Sequence, residues 1–242
     1  MKPTIGIIST GRFATVLKKL FSRTDEFSVL QSSRRKPVDG RTIFPLSQVL
    51  ACDIIFLCIP ISSLEQFLRN HGNEIRTDSL VVDVCSVKQL PVKWMETLLP
   101  STVDILATHP VFGPFSTQNG SVFTSLPWTI WPVRISNQPR VEALLSFLRS
   151  QSLRLIPMDP KTHDHIMANS QAVAFLFGTI GVQLGLKAGP LDTKGFSLIL
   201  QNQRSVQEDS KQLFLDMFHF NPEARTMITN IQQTITGIEK SL

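Results

Sequence analysis

Thr4-Ile5-Gly6-Ile7-Ile8-Ser9-Thr10-Gly11-Arg12-Phe13-Ala14 is the stretch on which the fold turns. Thr4–Ile8 reads as a short buried strand. A turn of small polar residues follows, and the amphipathic run Arg12–Ser22 reads as a helix. Strand, tight turn and helix make the first half of a βαβ unit. The turn has the spacing of GxGxxG, with Ser9 at the first glycine and Ala14 at the third. Gly11 lets the backbone approach a pyrophosphate, whose charge the helix N-terminus holds. Ala14 still allows close helix–strand packing. Ser9 departs from the pattern, because a residue with a Cβ must make the tight turn.

Working outward, the same alternation continues. Further strand-like runs are Ser28–Ser32, Asp53–Ile59, Leu80–Asp83, Asp104–Thr108 and Trp128–Val133, with Leu153–Ile156 as one more. Helix-like runs fall between them at Ser63–Ile75, Gln89–Leu98 and Pro139–Gln151. The run Ile54 to Ile59 is apolar throughout, as in a strand buried on both faces. The pattern predicts an α/β domain over residues 1–157, a mostly parallel Rossmann-type sheet. It ends at Pro157-Met158-Asp159-Pro160, where two prolines mark a boundary. Residues 158–242 read as helix alone: Lys161–Leu186, broken near Gly178, Gly181 and Gly185, then Phe196–Phe220 and Pro222–Ser241. About 80 residues of helix make a thin core. Such helices pack on the first domain, on a second subunit, or on both.

Bulk composition narrows the classes. Hydrophobic residues are 42% and charged residues 18%, enough for a real core. The net charge of +5 suits an anionic small ligand. No basic run with interleaved aromatics and no metal-finger spacing appears, so neither nucleic acid nor metal is expected. Cys52, Cys58 and Cys85 lie in or beside apolar runs without CxxC spacing, and read as reduced core residues. With no signal-like apolar core at the start and no uninterrupted apolar span of about 18 residues, a cytoplasmic protein off the membrane is expected.

The second strand runs into Gln31-Ser32-Ser33-Arg34-Arg35-Lys36. NAD-preferring folds end this strand on an acid that grips the ribose 2′-hydroxyl. Here hydroxyls and guanidinium groups stand in its place, the donor set a 2′-phosphate needs. NADP is therefore expected over NAD. The cofactor-binding set is Ser9, Thr10, Gly11, Arg12, Phe13, Ser32, Ser33, Arg34 and Arg35, with Ile59 and Pro60 closing the third strand.

Two further strand ends carry chemistry. Asp83-Val84-Cys85-Ser86-Val87-Lys88 follows one, and Thr108-His109-Pro110-Val111-Phe112-Gly113-Pro114 closes the next. Ligands of open α/β sheets bind at such C-terminal edges, and a histidine there can move a proton near neutrality. No acid stands beside it for a hydrolase triad and no GxSxG elbow occurs. Ser86 thus reads as a hydrogen-bond partner rather than a nucleophile, and Ser86 and His109 as the catalytic pair.

These motifs together, with His163-Asp164-His165-Ile166-Met167-Ala168-Asn169-Ser170-Gln171, resemble the prephenate and arogenate dehydrogenase family of tyrosine biosynthesis. Gln118-Asn119-Gly120, Asp192–Phe196 and Asp209–Phe214 are similar to its arogenate-type branch. The resemblance implies a Rossmann domain followed by a helical dimerisation domain, hence a homodimer acting on a small molecule. It implies oxidative decarboxylation of a cyclohexadienol, with His109 taking the ring hydroxyl's proton and Ser86 orienting that histidine or the hydroxyl. Lys88, His163, Gln171, Lys194, Gln201 and Arg204 become substrate-binding candidates, His163 more as a structural or hinge-side contact than as a second base. Two positions depart from the prephenate type. Gln171 stands where many members have histidine. Gln201 stands where many have the arginine that grips the side-chain carboxylate, and Arg204 or Lys194 can take over. Both departures favour arogenate. Two other readings stay open on the residues alone: a hydroxyacid- or imine-type NADP reductase, and a dinucleotide-binding sensor without catalysis.

Overall fold

The computed structural model describes residues 2–113 and 123–242. The chain forms two compact units, Met1–Pro160 and Lys161–Leu242. Pro114 and Gln118–Gly120, singled out above, lie outside the described residues.

The first unit is a seven-stranded sheet: β1 (Thr4–Ile8), β2 (Ser28–Ser32), β3 (Ile54–Leu57), β4 (Leu80–Asp83), β5 (Asp104–Pro110), β6 (Pro127–Arg134) and β7 (Arg154–Pro157). Its order is β2-β1-β3-β4-β5-β6-β7. The first five strands run parallel, β6 runs antiparallel to β5, and β7 is parallel to β6. The α/β, mostly parallel class read from the sequence is the class observed. Helices α1 (Arg12–Phe21), α3 (Ile61–His71), α4 (Gln89–Leu98) and α5 (Gln138–Ser150) connect the strands. A fifth, α2 (Leu46–Leu50), lies outside the helix-like runs of the sequence, since five residues are too few to show a helical period. β3 and β4 are buried at every residue, which is why both read as unbroken apolar runs. Phe21 of α1 closes the core, its ring 5.1 Å from Phe56 and 5.2 Å from Phe147.

The strand order reverses between β1 and β3, which places a ligand crevice outside their C-terminal ends. β5 continues past the expected end at Thr108, because His109 and Pro110 pair with Thr129 and Trp128 of β6. Proline is tolerated there because the ladder to β4 has already stopped at Leu106.

The second unit holds α6 (Pro160–Asn169), α7 (Gln171–Gln183), α8 (Lys194–Glu208), α9 (Lys211–Phe220) and α10 (Pro222–Glu239). The expected helix Lys161–Leu186 breaks at Ser170, with φ −130° and ψ −79°, and not at Gly178 or Gly181. Those glycines lie inside α7, where a Cβ on Gly178 would stand 2.5 Å from Val206 of α8. Gly185, at φ +65°, lies just beyond the helix end. The expected Phe196–Phe220 helix is two helices, because the Ser210 hydroxyl caps α9 by accepting the Leu213 N–H at 3.1 Å. By length and mean hydropathy, 1.2, residues 160–183 would suffice to cross a membrane. The break at Ser170 divides them, and Ala168, Ala172 and Phe175 pack with Met217, Phe218 and Ala224 in this unit's own core.

Candidate active site

The turn after β1 is built around Ser9, whose φ is +133°. That is glycine's territory, and a side chain there is strained. Three hydrogen bonds hold it. Ser9 N–H donates to Ser32 O at 3.2 Å, buried Gln31 donates its amide to Ser9 O at 2.8 Å, and Gly11 N–H donates to Ser9 Oγ at 3.0 Å. The next residue ties the turn to the end of β2. Thr10 Oγ1 lies 3.1 Å from Ser33 Oγ, and Ser33 Oγ also accepts the N–H groups of Arg35 and Lys36. Both lone pairs of Ser33 are thereby used, so its own proton goes to Thr10. Arg34, Arg35 and Lys36 are exposed beyond it, and β2 ends without an acid. Hydroxyl and guanidinium donors thus gather at the end of β2. Cys58, Ile59 and Pro60 follow β3 on the other side of the crevice, and Phe13 packs its ring 5.9 Å from Phe112.

The reacting side lies at the ends of β4 and β5. His109 is buried on β5, opposite Thr129, whose hydroxyl donates to His109 O at 3.4 Å. Ser86 is buried too, and its Oγ has no hydrogen-bond partner among the described residues. It therefore makes no bond that orients His109 here. Lys88, expected to meet substrate, turns inward instead. It is 2% exposed and its ammonium donates to the carboxylate of Asp83 and to Thr108 O. Asp83 is completely buried and also accepts Cys85 N–H at 3.0 Å and Thr108 N–H at 3.0 Å. The composition of the motif did not single out Asp83 or Thr108. The available signal was an acid closing a wholly apolar strand, since a buried carboxylate requires a partner. Burial, with the charge of Asp83 beside it, pushes the thiols of Cys58 and Cys85 well up, which disfavours the thiolate at both.

In the helical unit His163 and Asp164 are fully buried, with His163 Nδ1 2.8 Å from the Asp164 carboxylate. Asn221 donates to Asp164 O at 2.8 Å, so the pair ties α6 to the start of α10. Gln171, half-buried at the start of α7, has a side-chain oxygen with no partner among the described residues. Lys194, Gln201 and Arg204 are exposed on α8. Asn202 and Gln203, between the last two, instead bond Ala174 O of α7 and Leu186 O just beyond it.

Residues 23–156 match the family described as prephenate dehydrogenase, nucleotide-binding domain. The chain belongs to the prephenate and arogenate dehydrogenase family. Within it the similarity runs to the arogenate-type branch. Arogenate dehydrogenase 2, chloroplastic, of Arabidopsis thaliana is 32% identical over 195 residues, 78% of this chain and 54% of that protein. Arogenate dehydrogenase 1, chloroplastic, of the same plant is 29% identical over 251 residues, 98% of this chain and 39% of that protein. The chain thus spans about half or less of the length of these relatives. The fold is shared with A. aeolicus prephenate dehydrogenase, solved with hydroxyphenyl propionate and NAD+. Its TM-score is 0.74 at 15% identity, covering 99% of this chain and 90% of that one. Residues 180–242 match a TYRAAT1-like C-terminal domain. The match to the family's nucleotide-binding domain therefore takes in both Ser33–Lys36 and the Ser86–His109 strand ends.

Proposed function

We propose that this chain catalyses the oxidative decarboxylation of L-arogenate, and of prephenate as the related substrate, with NADP. The observation that carries the reading is the pair of strand ends where Ser86 presents a buried hydroxyl with no partner among the described residues and His109 stands on the adjacent strand. A bound nicotinamide dinucleotide would supply the acceptor for the hydride that leaves the ring carbon bearing the hydroxyl. His109 accepts the proton of the ring hydroxyl, and Ser86 hydrogen-bonds that oxygen and fixes its direction. The ring carboxylate leaves as carbon dioxide while the ring aromatises, a step that needs no group from the chain. Arg34 and Arg35, set out by the Ser33 turn, hold the 2′-phosphate. The side-chain oxygen of Gln171, without a partner among the described residues, is an acceptor suited to the ammonium of arogenate, where prephenate offers only a keto oxygen. Arg204 and Lys194 are the cations available for the side-chain carboxylate. A homodimer through the helical unit completes the reading, supported by the apolar side chains that unit exposes.

Steady-state kinetics with arogenate and prephenate, each with NADP and NAD, tests the proposal. The expected order is arogenate above prephenate and NADP above NAD. Turnover of neither substrate overturns it. His109→Asn should lower kcat by about 10²–10⁴-fold with NADP affinity kept. Replacing Arg34 and Arg35 by alanine should weaken NADP by at least about tenfold and leave NAD nearly unchanged. An equal loss for both cofactors removes the 2′-phosphate assignment.

A further inference from the structure

We propose that Asp83 is a positioning residue that fixes the strand end carrying Ser86 against the strand end carrying His109. This rests on the reading of Ser86 and His109 as the reacting pair. The β4–β5 backbone ladder ends at Val82 opposite Leu106. Beyond that register, no strand pairing sets the spacing of residues 84–86 from residues 108–109. Side chains take over there. One oxygen of Asp83 accepts the N–H of Thr108, the residue before His109, and the other accepts the N–H of Cys85, the residue before Ser86. The Thr108 hydroxyl returns a bond to Asp83 O at 2.6 Å, and Lys88 closes the set on the carboxylate and on Thr108 O. One carboxylate therefore holds both backbones one residue away from the two reacting groups.

Two observations set this apart from ordinary core packing. Ser86 Oγ makes no hydrogen bond among the described residues, so its place is set by the backbone that Asp83 holds. A buried ion pair is also a poor device for stability alone, since apolar residues of equal volume stabilise as well or better. What the pair supplies here is direction: hydrogen bonds to two specific N–H groups, with the charge neutralised in place by Lys88.

The test uses the whole chain and three readouts: kcat and KM, NADP affinity by titration, and the ring ¹⁵N–¹H resonances of His109. Those resonances are assigned by their disappearance in His109→Asn, against the four other histidines. Thr108→Val removes one bond of the clamp and no charge. It should lower kcat about five- to tenfold, the worth of one buried hydrogen bond, with KM and NADP affinity within about twofold. The His109 resonances should shift while the other histidines stay in place, and Thr108→Ser should restore both. The pair Asp83→Asn with Lys88→Met removes both charges together and should lower kcat about a hundredfold. Variants that only melt earlier, with wild-type kcat per folded molecule and unmoved His109 resonances, overturn the proposal. Should the wild type turn over neither substrate, the proposed function fails while the His109 resonances still decide the role of Asp83.

Discussion

Ser9 shows how a single residue can be read correctly and still surprise. Its departure from the glycine pattern is visible in the sequence, and the positive φ follows from it. What the sequence does not show is the restraint: a strand carbonyl, the Gln31 amide and the Gly11 N–H all close on one residue. A non-glycine residue in such a region costs about 1–3 kcal/mol. Ser9→Ala keeps that cost and loses the hydroxyl bond, whereas Ser9→Gly removes the cost. The glycine variant should be more stable than the alanine variant by about 1 kcal/mol in urea unfolding. Equal stability would mean that the turn relaxes around the side chain. Lys88 shows the opposite case. Its place after Ser86 suggests an outward cation, but Asp83, five residues before it, draws it into the interior. The loop geometry that brings them together has no one-dimensional signature. Lys88→Met alone leaves that carboxylate buried without its charge partner and should cost about 3–5 kcal/mol.

At the scale of elements, strands were more legible than helices. β1, β2 and β4 appear at their expected residues because each is a short apolar run bounded by turn residues. The glycines predict the helix breaks in the wrong places: the breaks lie at Ser170 and at the Ser210 cap. A glycine in a helical run signals either a break or a close neighbour, and only the partner helix tells which. At Gly178 it is a neighbour, so Gly178→Val should force α7 and α8 apart and cost about 2 kcal/mol or more in thermal unfolding. The first strand is stapled to the third by Asp53. It accepts the Thr4 N–H and hydroxyl, each at 2.8 Å, and pairs with Arg76 at 2.6 Å. Partial burial raises its carboxyl pKa, but the Arg76 and Thr4 hydrogen bonds outweigh that and bring it down to about 2. Its folded pKa is depressed, so its contribution is present above the unfolded value near 4 and is lost as pH falls through about 2. Screened by solvent, it amounts to about 1 kcal/mol. Asp53→Asn should therefore lower stability at pH 7 and converge with wild type below about pH 2.

For the molecule as a whole, the two units differ in how completely they bury themselves. The nucleotide unit closes a large core over its sheet, while the helical unit has a small cluster. Phe177, Leu184, Leu191, Leu198, Ile235 and Ile238 stay exposed on that unit. The proposed homodimer predicts a sedimenting species of twice 27.1 kDa at micromolar concentration. A persistent single-chain mass would exclude it. The imbalance also bears on modularity. A polypeptide cut near Pro160 would yield one fragment fit for independent existence and another that needs company. Recombination between genes can therefore lend the nucleotide unit to other enzymes as a finished part. The helical unit can travel only together with whatever covers it.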